Sequence, residues 1–496
     1  MIPTPELDLG AALPLLFLAG GAFSVLLAEL WLTARGTGAS RAGTALVALS
    51  GASLLLVVIA AGQGFAVGGT AVFNPSHPLI ELDRFANFSM GLVATATLFV
   101  CMLSTGYLQE LRIHHGEYFA LLLLSAAGMV LLVAAVDLLS VFLGVELTAI
   151  PLYVLAGFDR RELRSNESAL KYFLVGSFAS ALMLYGMALV YGATGATGYS
   201  AIAAGLDPES PLAMIGVGLV VVGFGFKIAS VPFHQWAPDV YEGAPTSVTA
   251  FMAATVKVAA CAALLRLVVE AFGAASGLQT VFAGLAALSM VVGNLMAVIQ
   301  DSVKRMLAYS SIAHAGYLLV PFAAGTPEAW TAVLFYLMAY SVTTVGVFGV
   351  VIALTHRGRD ADRFEDYEGL GSARPGMAAL LLLFLISLAG IPGTAGFMGK
   401  LQIFMAAVAA EQVGLAILMA LTSVVSLFYY LRLPVAMYMR PLRPQGHRSR
   451  TDFLELVVLG ACAGSVLLLG LAPNRFGWLQ ALDWTRAGVD ALMAGP

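Results

Sequence analysis

The sequence predicts an all-α polytopic membrane protein of about fourteen transmembrane helices. Of its 496 residues, 60% are hydrophobic and only 11% are charged, against roughly 25% charged and 45–50% apolar residues in soluble domains. The mean hydropathy is +0.90. A bilayer-spanning helix needs roughly 20 apolar residues, so fourteen of them would use about 280, close to what 60% of 496 residues supplies. A single bundle is therefore expected rather than a string of soluble-sized domains.

In chain order, apolar runs bounded by turn or charged residues fall near 11–34, 42–63, 82–107, 118–136, 138–157, 168–195, 211–235, 245–272, 279–299, 304–324, 328–355, 376–410, 412–439 and 453–472. The run at 376–410 is too long for one straight helix. It holds Gly390, Pro392, Gly393 and Gly396, which should break it. The run at 211–235 carries Pro232 near its end. The stretch from Met1 to Asp8 has no basic segment and is not expected to be a cleaved signal peptide.

If the connections alternate sides, one set carries sixteen basic residues: Arg35, Arg41, Arg112, Arg160, Arg161, Arg164, Lys304, Arg305, Arg357, Arg359, Arg363, Arg374, Arg440, Arg443, Arg448 and Arg450. The other set, with both termini, carries three: Arg84, Arg475 and Arg486. That asymmetry predicts an even number of spans with both ends outside the cytoplasm. The run from Arg357 to Arg363 reads most simply as a solvated cytoplasmic loop. Glu29, Asp137, Lys171 and Arg266 lie near span ends and read as interfacial anchors or loop partners.

The three cysteines, Cys101, Cys261 and Cys462, sit apart in apolar runs and offer no iron–sulfur spacing. The seven histidines show no metal-ligand spacing. Redox chemistry and metals are therefore expected elsewhere, and no nucleic-acid partner is expected.

The informative charges are those at membrane depth. The chain has only five lysines, and three of them, Lys227, Lys257 and Lys400, are embedded in apolar sequence, as is Glu146. Each such charge costs at least ~2.5–3.5 kcal/mol at a helix centre. One ion pair could merely tie helices together, but one carboxylate and three lysines do not cancel. A desolvated lysine near other cations can release its proton, which arginine cannot, so the set suits a proton relay. Trp236 lies nine residues after Lys227, about 13 Å along a helix. Pro232 should free carbonyls beside Lys227 and favour its ammonium. Lys400 falls just after the Gly–Pro break, near the positive end of a half-helix, which should favour its neutral form. Broken helices with ionisable residues at depth are a feature of cation and proton transporters. His234 and His314 could assist proton transfer, or simply hydrogen-bond between helices.

Several stretches resemble the antiporter-like membrane subunits of proton-pumping respiratory complex I. These are Gly144 to Tyr153, Ala169 to Phe173, Phe226 to Thr246, Lys304 to His314 and Ser387 to Phe397. The WAPDVYEGAPT form of the third stretch and the Ser387 segment most resemble the subunit N branch of bacterial NADH–quinone oxidoreductases. Lysine rather than glutamate at position 400 favours that branch over its sister subunit M. The few residues after 472 do not suggest the long lateral helix of subunit L. The resemblance implies fourteen helices with two inverted five-helix repeats, each holding one broken helix. The chain would then divide into N-terminal helices (1–117), a first repeat (118–272), a second repeat (279–439), and a last helix with a tail (440–496).

It also implies that Glu146, Lys227, Lys257 and Lys400 form the relay, with His234 and His314 in support. This chain would carry no cofactor. NADH, FMN, iron–sulfur clusters and quinone would belong to partner subunits of the membrane and hydrophilic arms. The alternatives are a Mrp-type cation/proton antiporter subunit without redox partners, a structural spacer in a membrane arm, and, least favoured, a small-solute carrier.

Overall fold

The computed structural model describes residues 7–36, 39–113, 115–275, 277–356, 358–442, 451–474 and 480–495, with the side chains of 39–42 excepted. Arg357, Arg443, Arg448, Arg450 and Arg475 of the orientation set lie outside the described residues, as does the side chain of Arg41. Among the described residues thirteen helices are long and apolar enough to cross a membrane. The first six spans are Leu9–Ala34, Gly43–Val67, Arg84–Leu111, Gly116–Ala134, Leu138–Ala156 and Leu163–Thr194. The seventh begins as Pro211–Ile228, and the eighth to eleventh are Thr246–Glu270, Leu278–Val298, Val303–Ala324 and Pro327–Leu354. Two shorter helices, Pro375–Ala389 and Ala395–Ala409, share the twelfth crossing, and Val413–Met439 and Phe453–Leu471 complete fourteen. A two-stranded hairpin pairs Ala71–Val72 with Glu81–Leu82 between the second and third spans. A final helix, Ala481–Ala494, packs on the third and eleventh spans.

Span starts are set by side-chain caps, which take up helix N–H groups that have no partner within the helix. Asp83, Asp137, Ser302 and Thr326 accept from the backbone N–H groups of Ala86, Leu139, Arg305 and Ala329. Burial then sorts the bundle. The apolar windows of the eighth, tenth and eleventh spans are 100%, 100% and 94% buried, against 33% for the first. The hidden axis therefore consists of the spans that carry Lys257, His314 and a set of tyrosines.

Two crossings are interrupted. In the seventh, the helix ends at Ile228, where Ala229 turns left-handed with φ 57° and the Ser230 N–H closes onto the Gly225 carbonyl. A cis Val231–Pro232 bond follows, and helix resumes at Trp236–Gly243. The break expected around Pro232 is present, but Pro232 lies in the link, and the helix has already stopped before it. The 13 Å helical spacing from Lys227 to Trp236 fails with it, because the Trp236 indole N–H folds back onto the Phe226 carbonyl at 3.1 Å. In the twelfth crossing, Gly390 at φ 86° caps the first half, and its N–H donates to the Ile386 carbonyl at 3.0 Å. A positive φ of this kind is cheap only for glycine.

The interrupted crossings are the fourth members of two consecutive five-span units, the fourth to eighth and the ninth to thirteenth spans. Five is odd, so corresponding spans cross in opposite senses and the units are inverted relative to one another. The halves of the twelfth crossing pack so closely at Gly396 that a Cβ there would lie 1.8 Å from the Ser387 carbonyl oxygen. Gly396→Ala is expected to destabilise the subunit by about 1–3 kcal/mol through overpacking, lowering its thermal midpoint in membranes. Gly192→Ala, with nothing within 4 Å of the added methyl, should leave the midpoint unchanged.

Candidate functional site

Lys257 follows a π-helical turn, Met252–Val256, in the eighth span, an irregularity often found at functional positions. It is 1% exposed. Its ammonium donates to the Ser311 carbonyl of the tenth span and stands 5.7 Å from the Tyr340 ring centre. The Tyr340 hydroxyl donates to Ser311 Oγ at 3.1 Å. His314, one turn along from Ser311, hydrogen-bonds through both ring nitrogens: Nδ1 with the Tyr336 hydroxyl, and Nε2 with the Tyr430 hydroxyl at 3.0 Å. Tyr430 also shares a hydrogen bond with Ser310. The His314 ring packs 5.1 Å from Tyr340 and 5.5 Å from Tyr317, centre to centre.

Lys400 closes this cluster from the other side, its ammonium 4.8 Å from the Tyr317 ring centre. Behind Tyr317, Asn294 donates to the Tyr317 hydroxyl at 3.2 Å and accepts from the Tyr429 hydroxyl at 3.0 Å. Lys257 and Lys400 both act electrostatically on His314. The fold thus sets two of the three deep lysines on either side of a cluster of serine and tyrosine hydroxyls and one imidazole, Lys257 through a backbone carbonyl and Lys400 against a ring face. Each hydroxyl and the imidazole can both give and accept a hydrogen bond.

The expected placement of Lys400 needs correction. Its ammonium reaches back across the break and donates to the Ala389 carbonyl at 3.0 Å. It therefore meets the negative end of the first half-helix, rather than only the positive end of the second. Lys227 occupies the last turn before the other break and is 5% exposed. Its ammonium has no hydrogen-bond partner and stands 5.7 Å from the Phe226 ring centre. Glu146 acts on it electrostatically, yet among the described residues Glu146 makes no ion pair, and its Oε1 is buried without a partner. The pairing that would make these charges mere helix ties is therefore absent there. From Lys227 the packing runs through aromatic rings: Phe226 against Trp236 at 5.1 Å and Trp236 against Tyr241 at 6.0 Å. His234 sits half-buried in the link, its Nδ1 without a side-chain partner, and joins neither cluster.

Three groupings escaped the sequence reading. Asp360 belongs to the run expected to be a solvated loop. Its carboxylate instead accepts from Tyr107, Thr246, Lys304 and Thr355 at 3.2, 2.6, 3.2 and 3.2 Å. Asp362 beside it accepts from Ser302 at 2.7 Å. Lys304 is 2% exposed and also donates to the Ala244 carbonyl at 2.8 Å. Next to it, Asp239 bridges Lys171 at 2.8 Å and Arg305 at 2.7 Å. Arg266, read as an interfacial anchor or loop partner, is wholly buried and paired with Asp83, the residue that caps the third span. Glu29, His115 and Glu117 bring their ligand atoms within 4.8 Å of one another, but one Glu29 oxygen is already taken by the Gly116 N–H at 2.7 Å. Asp360→Ala would strand a buried ammonium and three hydroxyl donors. A loss of about 3 kcal/mol or more is expected, visible as a lower thermal midpoint, with Asp360→Asn losing less.

A family model described as NADH:quinone oxidoreductase/Mrp antiporter, TM matches residues 135–426. The chain is 45% identical over 453 aligned positions to NADH-quinone oxidoreductase subunit N 1 of Sorangium cellulosum, covering 87% of this chain and 88% of that one. It is 40% identical over 528 aligned positions to NADH-quinone oxidoreductase subunit N of Myxococcus xanthus, covering 96% and 98%. Among solved structures, it superposes on a chain of respiratory complex I from Thermus thermophilus with bound aureothin at a TM-score of 0.79, with 34% identity and coverage of 97% and 100%. It also shares its fold with a chain of the Mrp complex from Dietzia at a TM-score of 0.85 and 22% identity, covering 98% of each.

Proposed function

This chain belongs to the subunit N family of NADH–quinone oxidoreductase, and from that membership we propose that it is a proton-translocating membrane-arm subunit of respiratory complex I. Electrons pass from NADH to quinone in partner subunits, and the buried Glu146, Lys227, Lys257 and Lys400 couple that transfer to proton movement. His314 assists between Lys257 and Lys400, and His234 lines the link beside Lys227. The redox groups belong to the partners. The protein is multi-pass in a bacterial inner membrane, with both termini on the outer side.

The observation that carries this reading is the cluster between Lys257 and Lys400. Its acceptors are neutral carbonyls and hydroxyls, so either lysine can hold or release a proton without stranding a counter-charge. Lys227 has no acceptor and depends on the field of Glu146 for its charge balance. Glu146 in turn sits half-buried beside the exposed apolar residues Leu143, Leu147 and Ile150 of the fifth span. A carboxylate facing lipid would be costly, so this face is best covered by a neighbouring subunit. A change of charge there would alter the proton affinity of Lys227, and like-charge repulsion in a low-dielectric interior would pass the shift to Lys257 and Lys400. A Mrp-type subunit without redox partners is the second reading, favoured only by the shared fold. Co-purification with flavin and iron–sulfur subunits separates the two.

The test is substitution in the assembled complex. Lys227→Ala, Lys257→Ala, Lys400→Ala and Glu146→Ala should each lower proton transport by half or more while the complex still assembles. The arginine series is more discriminating, because arginine keeps the charge but does not release its proton. Lys257→Arg and Lys400→Arg should fail as badly as alanine in a proton-pumping assay with reconstituted vesicles. Full pumping by the arginine variants would mark the lysines as static cations and remove the relay.

A further inference from the structure

The far end of the eighth span holds a second buried charge cluster outside the line of lysines. Arg266 lies nine residues beyond Lys257, about 13 Å along the helix, and is 0% exposed. Its guanidinium is 2.5 Å from Asp83, 3.6 Å from Glu270 and 5.1 Å from the Phe85 ring centre. Glu81, on the hairpin between the second and third spans, acts electrostatically on the same guanidinium. Asp83 also accepts the Ala86 N–H at 2.7 Å, so a guanidinium and a backbone N–H both face its carboxylate.

Glu270 shares that guanidinium at the longer distance, and among the described residues Glu81 makes no ion pair. Three carboxylates against one guanidinium would leave two uncompensated negative charges in a buried site, so a proton is retained there. Burial pushes the Glu81 carboxyl above its usual range, against the opposing pull of Arg266. An independent polar group also lies within electrostatic reach of the cluster. The Tyr199 hydroxyl is buried without a hydrogen-bond partner and lies within electrostatic reach of Glu270, Arg266 and Asp137. Asp137 is engaged elsewhere, accepting from the Leu139 N–H at 2.8 Å and the Thr197 hydroxyl at 2.6 Å.

We propose that Glu81 and Glu270, around the Arg266–Asp83 pair, form a proton-holding site through which the eighth span exchanges protons with the aqueous phase at this end of the bundle. The proposal rests on the relay reading above and adds a terminus to it. The chemistry is the addition of one proton to a carboxylate and its release, with no bond to a heavy atom. Glu81 lies outside the spans, on a hairpin at the bundle end, and offers the outward path. Lys257 lies on the same helix and offers the inward one.

The experiment uses the whole respiratory complex, comparing wild type with Glu270→Gln and Glu81→Gln. Each variant is read by infrared difference spectroscopy and by protons moved per electron in reconstituted vesicles. The expected result is a protonated-carboxyl band in wild type at neutral pH that is lost from at least one variant. The same variant should show a lowered proton-to-electron ratio with quinone reduction retained, and Glu270→Asp should restore a ratio lost in Glu270→Gln. Glu81→Gln, on the short hairpin, keeps the test open if Glu270→Gln fails to assemble. A merely structural Arg266 clamp has no such band to lose. The site is overturned, and the relay left standing, if neither variant loses a band or if both keep the wild-type ratio while Lys257→Ala lowers it. An unchanged ratio in Lys257→Ala overturns the relay and this terminus with it.

Discussion

Where an ammonium withdrawn from bulk water is met by oxygen atoms of the fold, the kind of oxygen decides what the lysine can do. Lys257 is met by the Ser311 carbonyl, Lys400 by the Ala389 carbonyl, and Lys304 by the Ala244 carbonyl together with the Asp360 carboxylate. A carbonyl accepts an N–H from an ammonium or from a neutral amine, so it holds the side chain in place through either charge state. A carboxylate favours only the cation. Lys304 therefore fastens the connection after the eleventh span through an ion pair, whereas Lys257 and Lys400 are held by neutral carbonyls.

The interrupted helices follow from the same need. A continuous helix uses its carbonyls internally and has few to offer a buried cation, whereas a break exposes the last turn. The two breaks use this differently. Lys227 lies on the half-helix before its break, in the terminal turn, and Lys400 lies on the half-helix after its break and reaches back to the end of the preceding one. Lys400 draws on an exposed carbonyl of its break, whereas the Lys227 ammonium bonds to none among the described residues. Gly390 and Gly396 are what allow the second arrangement, one by its left-handed turn and the other by the close approach of Ser387.

Much of this was readable from the chain because burying charge is expensive enough to mark itself. Fourteen apolar runs, a Gly–Pro break and three lysines in apolar sequence stand out against 11% charge. The tyrosines did not stand out, since a tyrosine in an apolar helix reads as core or interface until its hydroxyl finds a partner. A weak signal existed: Tyr336 and Tyr340 are four apart and His314 and Tyr317 three apart, spacings that share a helix face. Their convergence depends on which faces of the tenth, eleventh and thirteenth spans meet, and that is a tertiary fact. Asp360 was misread for a related reason: loop composition reports polarity, whereas its burial is set by Tyr107, Thr246 and Lys304 arriving from three distant spans. Pro232 was given too much weight, because the helix had already ended at a left-handed alanine that carries no local signature.

The inverted units also place an arginine near the end of their fifth members, Arg266 on the eighth span and Arg432 on the thirteenth, and the two are treated unlike. Arg432 donates to the Val298 and Gln300 carbonyls at 2.9 Å each, packs 4.2 Å from the Phe364 ring centre, and has one fully exposed acid, Asp301, at 3.6 Å. Its charge is met by neutral acceptors and open to solvent, the arrangement of a clamp with nothing to exchange. Arg266 is sealed from solvent among three carboxylates and has no comparable share of carbonyls. Because the spans cross in opposite senses, these two ends lie on opposite faces of the bundle. An inverted repeat alone would treat the two faces alike. Directional transfer requires the faces to differ, and surplus buried acid on one of them is a difference of the right chemical kind.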